Sequence, residues 1–457
     1  MSPRPGAPRF GTDGLRGVAN TELTPELALA LGRAAARQIG AGRFLLGRDT
    51  RRSGTMLAAA LAAGLTAEGA TVVDVGVIPT PGLAWLASDR QLPAAMISAS
   101  HNPFADNGIK LLSRGGTKLA DATERAIEGD LDALLGVDPL AALPDGGRAG
   151  GGVGEVIAEP GAGAHYVAHL SSLADLRGAK LRVLCDCANG AASRFAPAVL
   201  GRLGVDAVVV AADPNGTNIN AGCGSTHADE LGEPVRSAGA QCGLAFDGDA
   251  DRLIALDESG RVIDGDHLLA MFAIDLHARG ELAGDAVAVT VMSNLGLRRA
   301  LAAHGIGVIE TPVGDRHVAD ALEAHGLVLG GEQSGHLIFR RHATTGDGIL
   351  TAVKLLELLV RRDEPLSALA AVMQRLPQQL RNVAVRQPSR LAEARAIWDE
   401  VAAVEAELRE NGRVLLRASG TEATVRVMVE AETPETVAAC VERLVAVVEA
   451  ELGAPIV

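Results

Sequence analysis

Between Ala245 and Arg252 the chain reads Ala-Phe-Asp247-Gly-Asp249-Ala-Asp251-Arg, three carboxylates on alternate residues with only Gly and Ala between them. In a straight strand these side chains would share a face but stand about 7 Å apart, too far to share one ion. The small spacers permit a bend, and a curved loop can present several oxygens to one hard cation at the ~2.0–2.1 Å that Mg²⁺ demands. A calcium EF-hand is the obvious rival, because Asp247, Asp249, Asp251 and Glu258 fall at loop positions one, three, five and twelve of that motif. Position six decides against it. The motif requires Gly there, and this chain has Arg252 followed by Leu-Ile-Ala-Leu, which reads as strand rather than exiting helix. A solvated acidic turn is also disfavoured, since three crowded carboxylates repel one another without a counter-charge. The reading is a catalytic or substrate-bridging Mg²⁺, an ion that usually serves phosphate chemistry.

Three further segments carry chemistry. Met96-Ile-Ser-Ala-Ser100-His101-Asn102-Pro103 ends an apolar stretch with a hydroxyl, an imidazole and a turn signal, and Lys110 follows within reach. By itself the segment reads as an ordinary turn in which Ser and Asn cap backbone groups. A serine that accepts phosphate needs cations to screen the incoming charge and a metal to draw electron density away, and both are nearby in sequence. Ser100 and His101 are adjacent, so their side chains are expected to diverge, and a Ser-His protease arrangement is not indicated. Arg417-Ala-Ser419-Gly420-Thr421-Glu422, with Arg426 on the next strand, offers hydroxyls, a Gly amide and two guanidiniums, either a phosphate cradle or a tight hairpin with solvated Arg. Gly330-Gly-Glu332-Gln333-Ser334-Gly335-His336 lies between two apolar strands, where emergent polar groups face a ligand. His165 and His169, at i, i+4, lack a third ligand and read as surface or core residues rather than a zinc site.

The elements that must position these residues follow an α/β rhythm. Glu26 to Gln38 is amphipathic, Arg43 to Gly47 apolar, Ser53 to Glu68 helical and Ala70 to Val75 a buried strand. The Gly-rich stretch from Pro144 to Gly154 can hold neither helix nor strand and marks the first boundary. The rhythm restarts at Leu181 and at Ala286, each time as strand, loop and helix, so three related α/β units are expected. After Leu376 the pattern changes to strands and long surface helices, a separate α+β domain. The expected division is 1–150, 151–256, 257–374 and 375–457.

At 457 residues, 48% of them apolar and 21% charged, the chain is globular with several cores. Aromatics make up only 2%, which disfavours the stacking platforms of single-stranded nucleic-acid binders, and a net charge of −14 repels nucleic acid and anionic membranes. The five cysteines are odd in number and lack C-x-x-C spacing, the pattern of a reduced cytoplasmic protein. No apolar run is long enough to span a bilayer, and the start has no apolar signal segment.

Taken together, Phe10-Gly-Thr-Asp-Gly-Leu-Arg16-Gly, the Ser100 loop, the Asp247 to Arg252 loop, Glu332-Gln-Ser-Gly-His336 and the Arg417 to Arg426 loop resemble the α-D-phosphohexomutase superfamily over nearly the whole chain. The resemblance implies three related α/β domains and a C-terminal α+β domain of TATA-binding-protein-like fold around a central cleft. It implies that Ser100 is the phosphoserine and that Ser100, Asp247, Asp249 and Asp251 hold one Mg²⁺ per chain. It places His101, Lys110, Arg16 and His336 in the catalytic group with Ser100. Glu332, Ser334 and Arg252 would bind the substrate with Arg417, Ser419, Gly420, Thr421 and Arg426, the last five on the phosphate that is not transferred. A small phosphosugar is the implied partner, a hexosamine 1,6-bisphosphate the intermediate and activator, and a homodimer the implied assembly.

Within the superfamily, Gln333 and the run Asn218-Ile-Asn-Ala-Gly-Cys223-Gly-Ser-Thr-His227 are most similar to the phosphoglucosamine mutase branch, which interconverts glucosamine 6- and 1-phosphates. The phosphomannomutase/phosphoglucomutase branch more often has Met at the position of Gln333. The phosphate loop departs from the family in carrying Ala418 and Ala423-Thr424 where Pro is common; loss of Pro loosens the free loop. A phosphosugar phosphatase using the same Ser100, and a non-catalytic sensor, are the remaining readings. Retention of a nucleophile argues against the sensor.

Overall fold

The computed structural model describes residues 9–11, 14–40, 42–136, 150–419 and 423–453. They fall into two compact units. One comprises the described residues up to Met292 with Ile306–Ala371; the other comprises Ser293–Gly305 and the described residues from Val372 onward.

The first unit is built from three sheets. The first sheet holds β1 (Leu15–Val18), β2 (Arg43–Arg48), β3 (Thr71–Val77), β4 (Ala94–Ile97), β5 (Asp106–Leu112) and β6 (Val156–Ala158), in the spatial order β1-β5-β4-β2-β3-β6. The second holds β7 (Arg182–Asp186), β8 (Asp206–Val210), β9 (Cys242–Phe246), β10 (Leu253–Asp257) and β11 (Val262–Ile263), ordered β11-β10-β9-β7-β8. In the third, β12 (Ala286–Thr290), β13 (Gly307–Thr311), β14 (Leu329–Gly331) and β15 (Leu337–Phe339) run β13-β12-β14-β15. One plan underlies all three. A first strand lies between its two parallel successors, and a fourth runs back antiparallel to the third. The inner strands are apolar on both faces, as in Ala-Ala-Met-Ile of β4 and Cys-Gly-Leu-Ala-Phe of β9, every residue of which is buried.

The three chemical segments of the first unit occupy equivalent places in this plan. Ser100 lies in the β4–β5 connection, the three aspartates in β9–β10, and Glu332, Ser334 and His336 in β14–β15. β10 begins directly after Arg252, as the strand-like Leu-Ile-Ala-Leu predicts. Of the Gly-rich boundary stretch, residues 144–149 lie outside the described residues, and Gly150–Gly152 forms a short 3-10 turn. The first sheet nevertheless runs on past residue 150, because β6 pairs with β3.

The second unit is an antiparallel sheet of β16 (Gln378–Ala384), β17 (Gly412–Ala418) and β18 (Thr424–Ala431), with β18 central. Helices Arg395–Leu408 and Pro434–Leu452 share its core with Val425, Val427 and Val429. The helix Leu295–Ala303, expected to complete the third α/β repeat, clusters with this unit instead. The Leu295 N–H donates to Glu430 (2.9 Å), and the Asn294 side chain exchanges two hydrogen bonds with the Leu376 backbone.

Among the described residues no helix is long and apolar enough to cross a membrane. All five cysteines are buried and unbridged.

Helices α1 (Pro25–Ile39) and α2 (Ser53–Ala67) approach through glycines. A Cβ on Gly64 would stand 2.1 Å from the Leu29 carbonyl oxygen, and one on Gly32 2.3 Å from that of Leu61. On propensity alone Gly64→Ala would stabilise α2. The close backbone contact reverses the sign, and we expect that variant to lose about 1–3 kcal/mol in urea unfolding; a gain would show that the helices can separate freely.

Candidate active site

The β4–β5 connection is held by groups from two other loops. Ser98 Oγ donates to Asp49 (2.7 Å) and accepts the Ser100 N–H (3.0 Å), which turns Ser100 into the left-handed region at φ 51°. Arg51 Nη2 then binds the carbonyls of Ser100 and Asn102, each at 2.8 Å, while Nη1 reaches those of Pro103 and Asp106. Its Nε pairs with Asp49 at 2.9 Å, and both side chains are wholly buried. Asn220 Nδ2 donates to the same two carbonyls, Ser100 at 2.9 Å and Asn102 at 3.0 Å. The serine therefore sits on a rigid turn with its hydroxyl directed at the aspartates.

The aspartate loop bends as its spacers allow, with Ala250 at φ 58°. Oxygens of Asp247, Asp249 and Asp251 lie within 4.8 Å of one another, and all three residues are buried. Ser100 Oγ donates to Asp247 Oδ2 at 2.6 Å. Asp249 Oδ2 accepts from Thr80 Oγ1, at the start of α3 (Thr80–Arg90), and from Lys110 Nζ at 3.1 Å. Asp249 Oδ1 and Asp251 Oδ1 are buried and accept no hydrogen bond. Orphaned carboxylate oxygens converging beside a serine hydroxyl fit a hard cation, which would be held by Ser100 and the three aspartates. Burial, reinforced by Asp251 and Asp249, pushes the Asp247 carboxyl far up. Burial acts the same way on Asp251, but His336, Lys110 and Arg252 hold it well below the usual carboxylate range.

Basic groups ring this cluster. The β1–β5 pairing sets Arg16 opposite Gly108, and its Nη1 lies 3.5 Å from Asn102 Oδ1. Arg252 Nε stands 3.7 Å, and His336 Nδ1 3.6 Å, from Asp251. Burial opposes a charge on His336, Asp251 and Asp315 favour one, and the net direction is upward. The Gly346 N–H, however, donates to Nε2 (3.0 Å). A second ring proton would face that donor, so this contact favours the neutral ring with its proton on Nδ1, toward Asp251. Glu332 accepts from Ser334 Oγ and from the Gly314 N–H, both at 3.2 Å. A cleft of about 380 Å³ is lined by Arg16, His101, Asp251, Arg252, Asp315, Glu332 and His336 among others.

One expectation needs correction. Ser100 and His101 do not diverge: the left-handed turn at Ser100 brings Oγ within 3.4 Å of His101 Nδ1. Burial, with Arg252 and Arg16, lowers the His101 pKa to about 4, so the ring is a neutral base at ordinary pH. The shorter bond of the serine is still to Asp247, which is no protease dyad. His169 stacks on Trp85 with ring centroids 4.8 Å apart.

In the second unit Arg417 and Arg426 are direct partners across β17 and β18, and the Ser419 N–H closes the hairpin on the Thr424 carbonyl (2.9 Å). Burial, then Arg426, lowers the Arg417 pKa. Gly420 and Thr421 lie outside the described residues, as do Thr12 and Asp13 of the opening motif.

Sequence reasoning missed Asp49, Arg51, Thr80 and Asn220. Asp49 and Arg51 were visible as the polar end of an α/β strand, and Asn220 within the run used to choose a branch, but no spacing rule connects them to Ser100.

Models of the phosphoglucomutase/phosphomannomutase α/β/α domains I, II and III and of the C-terminal domain match residues 7–135, 164–260, 264–376 and 380–447. A phosphoglucosamine mutase of Desulforudis audaxviator is 50% identical, covering 96% of this chain and 97% of its own; that of Symbiobacterium thermophilum is 52% identical, covering 92% and 94%. This chain belongs to the phosphoglucosamine mutase family. Among solved structures, a phosphoglucomutase/phosphomannomutase family protein from Burkholderia thailandensis matches 96% of this chain and 97% of its own at 25% identity, with a TM-score of 0.79.

Two outcomes follow for this mutase. Arg51→Met leaves Asp49 buried and unpaired, a loss of about 3–5 kcal/mol. Adding Asp49→Asn should recover much of the melting temperature but not turnover, which stays down about 100-fold because the Ser100 turn is loosened. Full recovery of turnover would show that the clamp serves stability alone. The second concerns pH. Asp247 has a raised folded pKa, so in metal-free protein its contribution is fully present below the unfolded value near 3.8 and is lost as pH rises through the folded value. A cation bound by the aspartates would take the place of that proton. Mg²⁺ at about a hundredfold excess over Kd should stabilise by about 2.7 kcal/mol, and the gain in melting temperature should shrink as pH is lowered from about 8 to 6.

Proposed function

We propose that this protein interconverts glucosamine 6-phosphate and glucosamine 1-phosphate in the cytoplasm, feeding UDP-N-acetylglucosamine synthesis. The carrying observation is Ser100 Oγ, 2.6 Å from the Asp247 carboxylate of a buried aspartate cluster whose Asp251 lines a cleft together with Arg16, His101, Arg252 and His336. Phosphorylated Ser100 donates its phosphoryl group to the free sugar hydroxyl, giving glucosamine 1,6-bisphosphate. The bisphosphate turns over within the site and returns its other phosphoryl group to Ser100.

Mg²⁺, held by Ser100, Asp247, Asp249 and Asp251, would supply Lewis-acid stabilisation of the transferring group. The chain's own residues do the rest. Lys110, Arg16 and Arg252 neutralise charge on the phosphoryl oxygens, the main requirement of such a loose transition state. His101 is a neutral base near the Ser100 oxygen, and His336 carries a proton toward Asp251. Glu332 and Ser334 orient sugar hydroxyls. Arg417, Ser419, Gly420, Thr421 and Arg426 bind the phosphate that is not being transferred, and a dianion there relieves the repulsion between two facing guanidiniums. The division 1–150, 151–256, 257–374 and 375–457 belongs to this reading and is supported by the spans of the four family models.

Phosphorylated protein with Mg²⁺ and a trace of the bisphosphate should turn over glucosamine 6-phosphate in preference to glucose and mannose 6-phosphates. Ser100→Ala should fall to background. Preference for a neutral sugar would place the protein with the phosphomannomutase/phosphoglucomutase branch, and steady release of inorganic phosphate would mark a phosphatase.

A further inference from the structure

The substrate just assigned carries an ammonium group at physiological pH, and the cleft is hostile to one. Arg9, Arg16 and Arg252 all line it. A glucose phosphate, with a hydroxyl at the same carbon, meets no such repulsion. Selection for the amino sugar therefore needs a carboxylate that is ionised, reaches the cleft and is not consumed by the metal site.

Three acids line the cleft: Asp251, Asp315 and Glu332. Asp251 belongs to the cation cluster. Glu332 already accepts on both of its oxygens, from Gly314 at Oε1 and Ser334 at Oε2, and is the group that orients hydroxyls. Asp315 is the one left over, and its placement is specific. It opens the helix Asp315–Ala324, directly after Gly314, whose φ of 130° favours glycine and whose N–H is tied to Glu332. Lys118, from the loop after β5, donates to Asp315 Oδ1 at 2.5 Å, and the Arg316 N–H donates to the same oxygen at 2.8 Å. Both bonds fall on one oxygen and orient the carboxylate. Burial resists ionisation of Asp315, but Lys118, with a smaller contribution from Lys110, outweighs it and holds the group below the usual carboxylate range.

We propose that Asp315 is a specificity-determining residue that pairs with the ammonium of a 2-amino sugar phosphate, and that Lys118 positions it. This rests on the functional reading above. A charge-assisted pair discriminates strongly because a neutral hydroxyl cannot replace it.

The test is the ratio of kcat/KM for glucosamine 6-phosphate to that for glucose 6-phosphate. A wild-type ratio near or below one would sink the functional reading itself. Given a wild-type preference, Asp315→Asn should cut the ratio at least tenfold, whatever happens to the absolute rates. A ratio within twofold of wild type overturns the inference, since a merely structural role lowers both substrates together. Should the single variant fold poorly with Lys118 left unpaired, the double variant Lys118→Met with Asp315→Asn removes both charges, and the same tenfold fall is required of it. In the wild type the ratio should also decline as pH rises through the titration of the sugar amine, and that decline should vanish in Asp315→Asn; persistence of the decline in the variant counts against the assignment.

Discussion

Three carboxylates confined within 4.8 Å in a buried loop are the constraint to which the rest of the first unit answers. With an effective dielectric near 20, each ionised pair at that separation repels by on the order of 3 kcal/mol. The chain meets this with Lys110 from β5, Arg252 from the loop itself, Thr80 at a helix start and His336 from the third sheet. The positive groups that would neutralise a phosphoryl group are thus the ones that let the aspartates coexist. Site and fold cannot be separated here: a cationic side chain removed from the ring weakens both.

The repeated sheet plan explains why groups so far apart in sequence meet. Each α/β repeat ends its third strand with a connection leading into an antiparallel fourth, and each connection carries one of the chemical segments: the Ser100 turn, the aspartate cluster, or Glu332, Ser334 and His336. The loops after the first strands act as supports. Asp49 and Arg51 follow β2 and grip the serine turn, with Asn220 reaching it from the second sheet's unit. The result is a turn whose Ser100 and Asn102 carbonyls each accept from two donors while the Ser100 hydroxyl turns toward Asp247.

Much of this was legible from residue types. Asp-x-Asp-x-Asp with small spacers declares a bend, which Ala250 makes at φ 58°, and Arg252 before an apolar run foretold the strand that follows it. Period and composition located the first strand of each repeat to within a residue or two. Long-range register was not legible. Arg51 reads locally as one more charged residue at a strand end, and only the pairing of β2 with β4 carries it under the serine turn. The 3.4 Å approach of His101 to Ser100 was missed for a related reason: adjacency implies divergence only when the backbone is extended, and a left-handed serine is not foreseeable from Ser-His. The transfer of the helix Leu295–Ala303 to the second unit likewise depends on Glu430 and Leu376, which no local pattern links to it.

The depth of Ser100 bears on how the proposed phosphoserine would first be charged. The residue is 1% exposed and its turn is clamped from two sides. A protein kinase threads an extended peptide through its own cleft, and this segment could be offered to one only by unfolding the clamp. On the proposed mechanism, the priming phosphoryl group would instead have to arrive on a molecule small enough to enter the same opening as the sugar. Activation is then a matter of metabolite supply, and the charged fraction of the enzyme should follow the concentration of small phosphodonors rather than the activity of a signalling cascade.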